Sequence, residues 1–187
     1  MATYPEPASE LHDGITAQML ERLWKFAALA PGARVLDVGC GQGVALKHFA
    51  ARGLEAVGIT LNAVDVEESV KRGFKVVEMD QSFLDFPDGH FDLVWCRHCL
   101  EHSVFPYFTL CGFFRVLKAG GWLYVEVPAP DTSCNHQRNP NHYSVLGRTM
   151  HAALMQRAGF KIVDFVDINF QLVMGPDTYW AYILQKG

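Results

Sequence analysis

No apolar run in these 187 residues approaches the ~20 needed to cross a bilayer as a helix. The opening stretch, Met1-Ala2-Thr3-Tyr4-Pro5-Glu6-Pro7, lacks the basic and apolar regions of a secretory signal. A run of Lys and Arg is missing too. Sixteen basic residues stand against twenty acidic ones, a net charge of −4, which argues against a binder of duplex phosphates. The five cysteines, Cys40, Cys96, Cys99, Cys111 and Cys134, are odd in number and form no disulfide-like framework. Cys96 and Cys99 are spaced C-x-x-C, but no second pair completes a four-cysteine zinc site. These absences lead to an expectation of reduced thiols in the cytoplasm, with no membrane, no duplex nucleic acid and no metal. They leave the oligomeric state open.

What is present is a core. Half of the residues are apolar, enough for one globular domain over 1–187. Residues 1–12 read as a polar tail. A helix over 13–30 follows, capped by Asp13 or Thr16, with Ile15, Met19, Leu20, Leu23 and Phe26 on its apolar face. Pro31-Gly32 ends it. Arg34–Val38, Glu55–Ile59, Lys75–Glu78, Phe91–Trp95 and Trp122–Pro128 read as strands. Helical patterns to about Arg52, from Asn62 to Arg72, and from Tyr107 to Leu117 separate them. Such alternation implies parallel βαβ units. A helix over 145–158 and strands over 160–167 and 178–185 complete the chain.

The most informative stretch is Val35-Leu36-Asp37-Val38-Gly39-Cys40-Gly41-Gln42-Gly43. An apolar strand ends near an acid, a glycine-rich turn follows, and a helix begins. Glycines there let the backbone turn sharply and approach a ligand. The dinucleotide fingerprint is G-x-G-x-x-G, whereas the spacing here is G-x-G-x-G. The aspartate inside the strand disfavours a pyrophosphate and suits a cation.

The full string resembles motif I of the class I, Rossmann-like S-adenosylmethionine-dependent methyltransferases, and the resemblance covers roughly residues 33–185. It implies an α/β fold with a seven-stranded, mostly parallel sheet, one antiparallel strand and helices on both faces. It also implies methyl transfer from S-adenosylmethionine to a small-molecule acceptor. Asp37, Gly39, Cys40, Gly41 and Gly43 are then cofactor-binding. Most members place Asp or Glu where Thr60 stands. The string Gly58-Ile59-Thr60-Leu61-Asn62 is closer to the cyclopropane fatty acid synthase branch, which implies that Thr60 and Asp65 share the ribose. Equally, Asn62 is a helix cap and Asp65 a first-turn acid.

In the acidic loop from Met79 to His90, the resemblance puts Asp80 on the adenine amino group and Gln81 against the ring. Cys96-Arg97-His98-Cys99-Leu100-Glu101-His102 resembles motif II with the helix after it. It sets Cys96 and Arg97 beside the methyl donor and His98 on the substrate side. His98, Glu101 and His102 would share one face of that helix. Read as letters, H-x-x-E-H is an inverted zinc-protease signature, but the strand-then-helix setting argues against that chemistry. His102 is the candidate general base, since an imidazole is suited to proton transfer near neutral pH. Arg115-Val116-Leu117-Lys118-Ala119-Gly120-Gly121 resembles motif III and reads as a structural turn. The polar stretch 129–144 is the expected acceptor-side loop, with His136, His142 and Tyr143 as substrate residues.

Two readings from other classes remain open at this point. A non-catalytic module would bind S-adenosylmethionine or S-adenosylhomocysteine and act through a partner. A nucleotide-dependent oxidoreductase would bind a dinucleotide, against which the glycine spacing and Thr60 argue.

Overall fold

The computed structural model describes residues 9–187. The part of the expected polar tail before Ser9 lies outside the described residues. The strands are β1 (Arg34–Val38), β2 (Glu55–Thr60), β3 (Lys75–Glu78), β4 (Phe91–Arg97), β5 (Leu117–Pro128), β6 (Phe160–Leu172) and β7 (Gly175–Lys186). They form one sheet in the order β3-β2-β1-β4-β5-β7-β6. Pairing is parallel from β3 through β5. β7 runs antiparallel to both of its neighbours. This is the expected Rossmann-like architecture. In such a sheet the order reverses between β1 and β4, and ligands gather beyond the carboxyl ends of the strands at that point.

The helices are α1 (Glu10–Leu23), α2 (Val44–Ala51), α3 (Ala63–Lys71), α4 (Pro106–Val116) and α5 (Arg148–Arg157). Alternate residues of the central strands feed opposite faces of the sheet. Val35, Leu93, Trp95 and Tyr124 pack with Leu20 and Leu23 of α1 and Leu46 and Phe49 of α2. Leu36, Val94, Leu123 and Val125 pack with Leu110 and Phe113 of α4 and Met155 of α5. Both faces are therefore covered by helices, as a mostly parallel sheet requires.

Several boundaries differ from the sequence expectations. α1 starts at Glu10, not at 13, because Ser9 caps it by accepting from the His12 amide. Asp13 instead pairs with Lys47 and His48 of α2, each at 2.7 Å. Phe26 is 39% exposed, because α1 ends at Leu23 and takes the last turn of the predicted face with it. α5 begins at Arg148 rather than 145. The expected turn after α4 is absorbed into β5, where Gly120 (φ 70°) and a register shift against β4 take up the bend. β6 and β7 run several residues beyond their predicted ends, since each pairs with the other to the hairpin tip.

The largest correction lies after β4. No α-helix carries His98, Glu101 and His102. β4 continues through Arg97, His98 takes a left-handed conformation (φ 51°), and only a 3₁₀ turn at Leu100–His102 follows. Pro106 opens α4 four residues later and disfavours helix at the residue before it, so the segment has no room for a longer helix.

Candidate functional site

Two adjoining cavities open at the carboxyl ends of β1, β2 and β4, the place where the strand order reverses. The larger, about 510 Å3, is bordered by Asp37, Cys40, Arg97, Glu101, His136 and His142, together with His12 and Thr16 from α1. The second, about 230 Å3, is bordered by Thr60, Asp65, Asp80, Gln81 and Phe105. Gly39, Gly41, His98 and His102 line both. Most residues singled out in the sequence thus converge on one place. They arrive from five segments separated by long stretches of chain.

Three do not. Gly43 lines neither cavity. Its φ is 84° and a Cβ there would sit 2.7 Å from the Phe74 ring, so it serves the start of α2. The Cys96 side chain is wholly buried in the core beneath the site, paired between Val38 and Val125. Tyr143 is half exposed and lines neither cavity, while its amide donates to the Glu101 carbonyl.

The glycine turn is held from below. The Gly39 and Cys40 amides both donate to the Ile59 carbonyl, at 2.9 and 3.1 Å. At Gly39 (φ 72°) a Cβ would lie 2.7 Å from Cys99 Sγ, so a larger residue is excluded on steric as well as torsional grounds. Asn62 caps α3 by accepting from the amides of Val64 and Asp65. Asp65 also accepts from Gln42 Nε2 at 3.2 Å, so its capping-turn position and its place at the cavity coexist. Gln81 is anchored by donating to the Cys99 carbonyl at 2.7 Å, with its own carbonyl oxygen buried and unmatched.

The charges beneath the larger cavity form one network. Glu126, at the end of β5, is fully buried. Its Oε1 lies 2.8 Å from Arg97 Nε and 2.8 Å from His98 Nε2. Tyr124 donates to its other oxygen at 2.5 Å. These ion-pair contacts are close, but the Arg97 Nε–H and His98 Nε2–H directions miss the acceptor. Burial alone would push His98 down, yet the carboxylates of Glu101 and Glu126 outweigh it and hold its pKa above the usual imidazole value. Burial would likewise raise Glu126, but His98 and Arg97 bring it below the ordinary range. His12 is pushed down to about 4 by burial and by Arg97, so it is neutral and its Nδ1 accepts from Arg97 at 2.9 Å.

Asp37 is the exception to this balance. It is 3% exposed, and its Oδ2 is buried without a hydrogen-bond partner among the described residues. Burial pushes its pKa up to about 7, only partly offset by Arg97. An orphaned carboxylate oxygen beside a cavity is a site for an incoming cation or N–H donor.

On the opposite wall, His102 Nδ1 lies 2.9 Å from the Asn141 carbonyl. A carbonyl only accepts, so this nitrogen carries a proton and the neutral ring presents Nε2 as a lone pair. The His142 ring meets that of His102 edge-on, with centroids 4.7 Å apart. Glu101, His102 and His142 bring one donor atom each within 4.8 Å of one another, a spacing that could hold a cation. His12 and Glu126 carried no signal in the sequence, and Thr16, expected as a helix cap, lies buried inside α1 at the cavity instead. They reach the site through the packing of α1 and the register of β4 against β5.

A family model described as a methyltransferase domain matches residues 11–164. The chain is 31% identical to 27-O-demethylrifamycin SV methyltransferase of Amycolatopsis mediterranei over 68% of its own length and 52% of the relative's. It is 31% identical to a ubiquinone biosynthesis O-methyltransferase of Bordetella avium, over 88% of this chain and 70% of the relative. It therefore spans about half to two thirds of the length of such relatives. Among solved structures, the cyclase SpnF superposes with a TM-score of 0.78 at 22% identity, covering 98% of this chain and 85% of that one. At that identity the likeness is one of fold.

Proposed function

The chain belongs to the methyltransferase-domain family, and from that premise we propose that it transfers a methyl group from S-adenosylmethionine to a small-molecule acceptor. The observation that carries the reading is Asp37. Its unmatched, buried oxygen at the end of β1 suits the ammonium of the cofactor's methionine part. The remaining wall suits the rest of the cofactor. Thr60 and Asp65 would hold the ribose, Asp80 and Gln81 the adenine, and Gly39, Cys40 and Gly41 would let it lie close to the backbone. Arg97 partly offsets the burial of Asp37 and so favours its charged form, while Glu126 balances the guanidinium.

When bound, S-adenosylmethionine supplies an activated methyl group on a sulfonium. The chain's part is to position the acceptor in line with that methyl and to remove a proton where the acceptor has one to lose. His102 would take the second task, since it borders both cavities and its Nδ1 is held by the Asn141 carbonyl. His98, His136 and His142 line the acceptor side. A wall of imidazoles matches an acceptor bearing hydroxyl or other polar groups. The location we propose is the cytoplasm, on an odd number of cysteines whose spacing in the sequence forms no disulfide-like framework. Among the described residues no helix is long and apolar enough to cross a membrane.

Calorimetric titration with S-adenosylmethionine, S-adenosylhomocysteine and NAD tests the cofactor. Micromolar binding of the adenosyl compounds, weakened in Asp37→Asn and absent for NAD, supports the reading. No binding of either adenosyl compound overturns it. Binding without turnover across a screen of hydroxylated acceptors would favour a module that acts through a partner.

A further inference from the structure

We propose that Cys134, His136 and Asp177 form a binding site for one zinc ion that ties the loop after β5 to the β6–β7 hairpin. The Sγ, imidazole nitrogen and carboxylate oxygen of these residues all lie within 4.8 Å of one another. His136 Nε2 is 2.9 Å from Asp177 Oδ2 and 3.1 Å from Oδ1. Met174, at the hairpin tip, brings its Sδ within 3.4 Å of Cys134 Sγ. The inference concerns binding alone and stands whether or not the methyl-transfer reading does.

The local chain explains the convergence. Cys134 and His136 flank Asn135, which takes the left-handed conformation (φ 49°, ψ 49°). That conformation is more accessible to Asn than to most residues. It breaks the run of the chain and lets both neighbours turn to Asp177. Asp177 comes from the start of β7, more than forty residues further on, and its side chain is completely buried. A buried carboxylate normally needs a cationic partner. Asp177 accepts from the Thr178 amide at 2.9 Å and meets His136, but among the described residues no lysine or arginine lies in ion-pair range of it. A divalent cation would supply the charge that the protein does not.

The donor set selects the ion. Thiolate sulfur, imidazole nitrogen and carboxylate oxygen are together the ligands of zinc. A thiol disfavours calcium or magnesium, and a buried carboxylate disfavours copper(I). Tetrahedral zinc sets its donors about 3.2–3.8 Å apart, so donors that all lie within 4.8 Å of one another reach that spacing by small side-chain shifts. Three protein ligands leave a fourth position. Binding releases the thiol proton of Cys134 to solvent, and His136 binds as a neutral imidazole through Nε2 with its remaining proton on Nδ1. His136 also borders the larger cavity, so the occupied site would fix the position of one wall residue of that cavity.

The test uses the full chain, stripped of metal by chelation and titrated with zinc, and separately with cobalt(II) as a spectroscopic substitute. The expected result is one zinc per chain by mass spectrometry. The cobalt adduct should carry a thiolate-to-metal charge-transfer band. Cys134→Ser should abolish the band and weaken zinc by about 100-fold or more, and Asp177→Asn should weaken zinc likewise. His102→Gln, which alters the other cluster of possible ligands, should leave both readouts unchanged. Cys134→Ser replaces one atom, so the test stands even if Asp177→Asn fails to fold. Absence of stoichiometric zinc at tens of micromolar would overturn the proposal. So would a cobalt adduct without the thiolate band, or binding that survives Cys134→Ser and disappears in His102→Gln.

Discussion

Asp37 sets the site's function against the protein's stability. Its pKa is raised to about 7 in the folded chain against about 4 for an unperturbed carboxyl. Below about pH 4 both states hold the proton and the residue costs nothing. Between about 4 and 7 the folded chain keeps a proton that the unfolded chain has lost. The residue's contribution therefore falls as pH rises, and levels off above about 7. Asp37→Asn should accordingly be more stable than the parent, by about 2–4 kcal/mol at pH 8 and by almost nothing at pH 4, read as urea midpoints at both pH values. The same substitution should weaken S-adenosylhomocysteine by about 2–4 kcal/mol in calorimetry, as expected when one partner of a buried charged pair is removed. At His102, Gln keeps a polar side chain but no base. His102→Gln should cut kcat about 100-fold or more with a hydroxylated acceptor and leave cofactor affinity unchanged. Asp37 was legible because it sits inside a contiguous string whose parts are sequence neighbours. His12 was not, since nothing in Leu11-His12-Asp13 records that α1 lays its first turn over the mouth of the site.

The ends of β4 and β5 carry the most consequential pair of elements. Glu126 sits opposite Arg97 in the parallel register. One of its oxygens meets both Arg97 and His98, and the other takes the Tyr124 hydroxyl. Glu126→Gln keeps the shape but leaves the buried Arg97 guanidinium without its counter-charge and His98 with Glu101 alone. We expect a loss of about 3–5 kcal/mol at pH 7 in urea unfolding. The depressed Glu126 pKa means that its stabilisation is present above the unfolded value and is lost as pH falls through the folded one. The gap between parent and variant should therefore shrink in acid. A gap that is flat with pH would show that packing, not charge, holds these strand ends. At this scale the strands were readable as apolar β-branched runs and α3 from its cap, Asn62. The segment after β4 was misread, because five residues with helical spacing say nothing about a proline ahead or a strand neighbour that draws Arg97 into register. Pairings such as Arg97 with Glu126 are set by sheet order, which no local pattern encodes.

On the scale of the whole molecule, the cavities are walled by the strand ends of one half of the sheet, roofed on one side by α1 and closed on the other by the loop after β5. The sheet order followed from resemblance to a known family rather than from periodicity. Members of that family often carry a helix here that covers the cofactor, but the sequence does not separate such a roof from plain packing on the sheet, because it depends on how α1 seats against α2 through Asp13, Lys47 and His48. A ligand spanning both cavities would touch the central strands and the first turn of α1 together, and so link the most and least firmly packed parts of the site. Saturation with S-adenosylhomocysteine at 100 times Kd should stabilise the fold by about 2.7 kcal/mol, which for a chain of this size raises Tm by about 7 °C. The gain should not be uniform. Hydrogen exchange should slow at α1, where Ser9, His12 and Thr16 border the larger cavity, and at the 3₁₀ turn carrying His102. α5 packs beneath the opposite face of the sheet and should change only through the global term. Equal protection of α1 and α5 would mean that the ligand acts through overall stability alone and that α1 does not close over it. Slowing confined to α1 and the His102 turn would make α1 the cover of the site, and its departure the step that releases product.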